Sequence, residues 1–200
     1  MAGAEPKRRA ADVAYDQIES MIATLQLQPG SAVVEADLVE KTGLGRTPLR
    51  EALLRMVAAG LIRQEPRRGL RVSMIQLADH MDLIQTRRAL EQLIAASAAR
   101  RATPAQRSQI VECAPQMIRA AEGGNLDDYM QADQSLDHVC HNACRNVSAV
   151  NAVEPLIIQC RRFWYAYQHE GDITEGARRH MAMAEGLSLI HISEPTRPER

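Results

Sequence analysis

Between residues 43 and 72 the chain is punctuated in a way few folds accept: Gly43 and Gly45, Pro48, Gly60, then Pro66 and Gly69 on either side of two arginines. Proline has no N–H to give, which a helix tolerates only in its first turn, so a helix must begin near Arg46 to admit Pro48. Leu49, Ala52, Leu53 and Met56 then recur at three and four, one apolar stripe, and Gly60 ends it. Residues 61–65 and 69–73 read as two short strands around Pro66-Arg67-Arg68, a hairpin. Upstream, residues 35–42 form a short helix with Leu38 and Val39 inward, and Gly43 suits a left-handed stop. Before that, Val13, Ile18, Ile22 and Leu25 mark a first helix, which Pro29-Gly30 breaks. Helix, turn, helix and hairpin in immediate succession are the layout of a winged helix-turn-helix.

Charge is distributed unevenly over this layout. The seven arginines from Arg46 to Arg71 face two acids, Glu51 and Glu65, in a chain of net charge −1. Residues 1–75 hold 11 basic and 9 acidic side chains, and residues 76–200 hold 13 and 16, so the two halves are expected to meet different partners. A helix fits the major groove of B-DNA with its N-terminal side chains at base edges, and Arg46 and Arg50 stand one turn apart at that end. Thr47 and the free helix N–H groups suit a phosphate. Arg67 and Arg68 occupy the hairpin tip, with Gly69 allowing close backbone approach.

Residues 9–74 resemble the DNA-binding domain of GntR-type bacterial transcription regulators. The resemblance rests on Gly45-Arg-Thr-Pro-Leu-Arg-Glu-Ala-Leu53, Gly60-Leu-Ile62, Pro66-Arg-Arg-Gly69 and Val72, and upstream on Leu27-Gln-Pro-Gly30 and Glu35-Ala-Asp-Leu38. It implies DNA contact by Arg46, Thr47, Arg50 and Gly69. Gly45 stands where the family usually has serine, which removes a side-chain helix cap or phosphate contact.

From residue 76 on, nothing strand-like recurs. Apolar positions repeat at three and four through 76–101, 104–122, 125–146, 148–169 and 173–186, and Thr103-Pro104 and Gly123-Gly124-Asn125 are the clearest breaks. The expected fold is therefore mainly α: a winged helix-turn-helix of three helices and a β-hairpin (9–74), then an all-helical bundle (76–186). The string from Leu83 to Glu91, which contains Arg87, with Ala95-Ala-Ser-Ala-Ala99 resembles the opening of the FCD effector domain of the FadR-like branch. That resemblance implies a homodimer, a small organic acid effector, and often a metal held by an Asp, a His four residues later and two later His. Here Asp133, Asp137 and His141 lie at i, i+4 and i+8 on one helix face, with Asp137 in place of the first histidine, and His180 matches a later one. Carboxylate and imidazole ligands suit Zn, Mn or Ni. The alternative is a polar stripe with no metal.

The segment Arg161-Arg-Phe-Trp-Tyr-Ala-Tyr167 either frames an anionic ligand, with Arg87, Arg161, Arg162 and Trp164 as effector contacts, or is bundle core with solvated arginines. The cysteines, Cys113, Cys140, Cys144 and Cys160, form no CxxC pair and are expected to be reduced and core-lining. No stretch approaches the roughly 20 apolar residues of a membrane span, and no signal-peptide core follows the first residues, which gives a cytoplasmic expectation without membrane partners. Residues 187–197 resemble a translated sequencing-library adapter. Native sequence is accordingly expected to stop near Gly186, with 187–200 a non-native tail, an effector domain lacking its last helix, and His191 no ligand.

The combined expectation is a transcription regulator, and not an enzyme: a repressor that binds double-stranded operator DNA under control of a small organic acid. Two competitors belong to other classes. A helical metalloprotein or metalloenzyme with an incidental basic surface would need a complete ligand set and a general base. A non-specific architectural protein would need the basic segment but not the acidic second half.

Overall fold

The computed structural model describes residues 8–167 and 172–189, which form two compact units. The first comprises the described residues up to Ile84 together with Pro155–Tyr167, and the second Gln85–Glu154 with the described residues from 172 on.

In the first unit, α1 (Ala10–Ala23), β1 (Ala32–Val33), α2 (Glu35–Thr42), α3 (Arg46–Ala58), β2 (Ile62–Glu65) and β3 (Gly69–Val72) follow one another. The stripe on α3 is buried as its spacing requires, with Leu49, Ala52 and Met56 fully enclosed, and it packs on Ile18 and Ile22 of α1. Each large apolar side chain so enclosed contributes about 1.5–3 kcal/mol of transfer free energy. Gly43 closes α2 at φ +68°, a left-handed conformation that a side chain resists, and its N–H returns to the Val39 carbonyl at 2.9 Å. The turn into α3 is thereby fixed.

The wing is a three-stranded antiparallel sheet in the order β1-β3-β2, with Glu65 opposite Gly69 and Ala32 opposite Arg71. The sequence reading had two strands. Two residues carry no alternation to read, so β1 is recognisable only through its partner. Pairing leaves Val33 and Val72 on the core side.

The second unit is helical: α4 (Leu77–Arg101), whose first turns belong to the first unit, α5 (Pro104–Glu122), α6 (Leu126–Cys144), α7 (Val147–Tyr167) and α8 (Asp172–Leu189). Thr103 starts α5 with a capping box completed by Gln106, and Asn125 caps α6 on the Asp128 N–H. α5 packs against both α6 and α8, burying Ile110, Met117, Leu136 and Ala184. All four cysteines are buried and none forms a disulfide. α7 carries Pro155 in its interior, and the division between units falls there. Its second half belongs to the first unit, where Ile158 joins the apolar core. α8 runs through 187–189, the first residues of the segment read as adapter, while 190–200, His191 included, lie outside the described residues.

Candidate nucleic-acid interface and helical-unit sites

Gly45 precedes α3 at φ −70° and offers no side-chain cap, so the N–H groups of Arg46 and Thr47 at the head of the helix have no carbonyl within it. Arg46 and Thr47 are exposed there, together with Arg50 one turn on. The seven arginines of this segment divide into two sets. Arg55 is tied to Asp12 at 2.9 Å and lies over the Tyr15 ring, and Arg71 donates to the Gly30 carbonyl at 2.6 Å and pairs with Glu65. Both therefore hold the unit together. Arg50 presents Nε to both oxygens of Glu35, at 3.0 and 2.9 Å, a pair open to solvent. Arg46, Arg63, Arg67 and Arg68 are exposed, and their side chains have no charged or hydrogen-bonding partner among the described residues. The unpaired charge sits at the head of α3 and on the wing.

The hairpin tip is a tight turn, with the Arg68 N–H on the Glu65 carbonyl at 3.1 Å. Pro66 fills its second position and Arg67 its third, at φ +64°, the type II geometry that ordinarily selects glycine. An arginine held there at a conformational cost of about 1–2 kcal/mol marks a position where side-chain chemistry outweighs backbone ease. Gly69, at φ +76°, has no atom within 4 Å of where a Cβ would stand, so backbone conformation and not crowding calls for glycine.

Sequence reasoning missed two members of this surface. Arg63 is signalled by its outward position on β2 beside buried Ile62. Glu35 carries no such signal, because its partner is on another helix.

In the second unit, the expected metal ligands are only partly brought together. His180 Nε2 stands 3.6 Å from Asp133 Oδ1, and its Nδ1 is 3.4 Å from the Tyr129 hydroxyl. Asp137 and His141 do not complete a set with them: among the described residues, no three His, Cys, Asp or Glu side chains group where they could hold a metal ion. Among the described residues, Asp133 and His180 offer a pair rather than a full ligand set. Tyr129 lay within reach of the sequence reading, one turn before Asp133 in the same i, i+4 series. Burial first, and the Asp133 charge second, push its hydroxyl up to about 12. Gly176 lies beneath it, where a Cβ would come within 2.7 Å of the tyrosine oxygen.

The four expected effector contacts do not share a unit. Arg87 is in the second unit and closes an i, i+4 pair with Glu91 at 2.6 Å. Arg161, Arg162 and Trp164 are in the first, where Arg162 donates from Nη2 to the Ser73 carbonyl just beyond β3. Helical periodicity along α7 could not reveal that its second half is claimed by the winged unit.

Residues 10–72 match the family described as bacterial regulatory proteins, gntR family, and residues 82–187, more than half of the chain, match the FCD domain. The chain is a gntR-family protein with an FCD domain. Members of this family are transcriptional regulators, not enzymes. Among curated gntR relatives, the HTH-type transcriptional repressor RspR of Escherichia coli is 26% identical over 84% of this chain and 65% of its own. An uncharacterized HTH-type transcriptional regulator of Agrobacterium vitis is 27% identical over 60% of this chain and 72% of its own. The chain thus spans about two thirds of the length of these relatives. McbR/YncC of E. coli superposes with a TM-score of 0.80 at 18% identity, covering 92% of this chain and 88% of that one. A structural-genomics GntR structure from Rhodococcus sp. RHA1 gives 0.62 at 14% identity over 92% and 99%. At these identities the superpositions establish the gntR fold.

Proposed function

We propose that this gntR-family protein is a sequence-specific DNA-binding repressor, acting in the cytoplasm as a homodimer on palindromic operator DNA, with a small organic acid as effector. One observation carries the DNA part: the exposed arginines without partners, Arg46, Arg63, Arg67 and Arg68, occupy the head of α3 and the wing, while Arg55 and Arg71 are spent on the fold. In this reading Arg46 and Arg50 address base edges, where a bidentate contact to guanine is worth about 1–3 kcal/mol. Thr47, Arg67, Arg68 and the Gly69 backbone address phosphates. An effector acts only if it binds the DNA-competent and incompetent arrangements unequally.

Gel-shift titration against the protein's own promoter tests this. Arg46→Ala and Arg50→Ala should each lose the sequence-specific shift while a phosphate-type salt dependence persists. Equal binding of wild type to scrambled DNA refutes it. A metal at Asp133 and His180 is tested separately, by elemental analysis before and after Asp133→Ala. Unchanged metal content removes Asp133 as a ligand, and with it the paired site.

A further inference from the structure

The wing sheet has two faces. Ile62 pairs with Val72, and both are buried with Val33 in the apolar core. Arg63 and Arg71, the next pair in the register, point the opposite way, as strand alternation requires. Two arginines directly across an antiparallel pair repel each other, so the arrangement lowers stability unless an anion lies beside them. Glu65 answers only one of the two. Its Oε2 stands 3.3 Å from Arg71 Nε, without the alignment of a hydrogen bond, and Arg71 Nη1 is held on the Gly30 carbonyl at 2.6 Å. Arg63 is left exposed, its side chain with no charged or hydrogen-bonding partner among the described residues.

Arg63, Glu65 and Arg71 line one recess of about 200 Å³ on this outer face, and Arg68 joins them from the hairpin tip. All belong to the first unit. Three guanidiniums against one carboxylate leave a net charge of +2 there. The recess meets the rest of the charged surface at the tip, where Arg67 and Arg68 stand side by side. A hairpin tip set into a DNA groove has one sheet face towards each of the two backbones that border it, since the minor groove is only about 6 Å wide. With this tip in a groove, the outer face of the wing looks onto a row of phosphates.

We propose that the outer face of the wing binds one backbone phosphate of the DNA, with Arg63 and Arg68 as its charged contacts and Arg71, fixed on Gly30, as the wall behind them. The free oxygens of a phosphodiester accept from guanidinium forks, and two such forks are available here while the third arginine is already engaged. A contact of this kind positions the wing and reads no base, so it adds affinity on any sequence. It rests on the DNA-binding function proposed above and gives Arg63 a part in it that is separate from the head of α3. Inorganic phosphate shares the same chemistry, and the experiment separates the two sources.

The test is fluorescence anisotropy of the full chain, wild type and Arg63→Gln, on a promoter fragment and on a scrambled fragment of equal length, from about 50 to 200 mM NaCl. Each phosphate contact contributes about 0.9 to the slope of log Kobs against log salt, so Arg63→Gln should weaken both fragments by the same factor and lower the slope by about 0.9. Over that salt range the wild-type advantage should shrink about 3.5-fold. A slope that the substitution leaves unchanged, or a loss confined to the promoter fragment, overturns the proposal. Urea unfolding is the control for structure: with the repulsion from Arg71 relieved, Arg63→Gln should be no less stable than wild type, and earlier unfolding makes Arg63 a structural residue and overturns the proposal too. Sodium phosphate is titrated without DNA at ionic strength held constant with NaCl. A saturable rise in thermal midpoint that Arg63→Gln abolishes, together with an unchanged DNA slope, assigns the recess to free phosphate and overturns the backbone contact. Equal binding of wild type to both fragments defeats the sequence-specific reading while a lowered slope still upholds this contact; wild type that binds neither fragment overturns both.

Discussion

Glu35→Gln is the perturbation that most directly probes how Arg50 reaches DNA. In the free protein its Nε is shared between both Glu35 oxygens, at 3.0 and 2.9 Å, so a base contact through that edge requires the pair to open. The side chains are 64% and 35% exposed, and solvent screening limits such a pair to about 0.2–1 kcal/mol. Removing the carboxylate charge should therefore tighten specific binding by about 1.4- to 5-fold, and no more. Fluorescence anisotropy on a promoter fragment, repeated at several salt concentrations, measures this. A double-mutant cycle with Arg50→Ala isolates the pair, and the gain should vanish once Arg50 is gone. If Glu35→Gln instead weakens specific binding as severely as Arg50→Ala, Glu35 is holding Arg50 in its reading position and the reasoning from competition is wrong.

Arg67→Gly should relieve the positive φ at the wing tip and raise stability to urea by about 1 kcal/mol while weakening DNA binding; no gain in stability would refute the turn assignment. Gly176→Ala should cost about 1–3 kcal/mol, because its Cβ would stand 2.7 Å from the Tyr129 hydroxyl; an unchanged thermal midpoint would mean that the helices part without strain. Burial, with the Asp137 charge as the next cause, pushes the Cys140 thiol up to about 12, so Ellman's reagent at pH 8 should label it only after unfolding; rapid native labelling would contradict its burial. The raised pKa values of Cys140 and Tyr129 favour the neutral forms in the folded state. Their contribution is full below the ordinary thiol and phenol ranges and is lost as pH rises towards about 12, so unfolding should set in on the alkaline side.

Local chemistry was legible wherever it is enforced by neighbours in sequence. Pro48 required a helix start, the Leu49–Met56 stripe required one buried face, and Gly43 took the left-handed position expected of it. All five helices of the second half follow from their three-and-four periodicity, with ends within a few residues. What escaped were features made by residues distant in sequence: β1, whose two residues become a strand only beside β3, and Glu35, whose role depends on the angle between α2 and α3. The polar face of α6 shows the same limit. An i, i+4 series puts Asp133, Asp137 and His141 on one face, but only packing against α8 chose Asp133 and Tyr129 as the neighbours of His180.

The sequence by itself determined the order of elements, the buried stripes and the placement of seven arginines in one segment, because proline, glycine and apolar spacing act through the backbone within a few residues. Tertiary structure alone decided which of those arginines remain available, and that the second half of α7 completes the winged unit. Ion pairs and core membership depend on distances between segments far apart in the chain, and only the folded packing sets those distances.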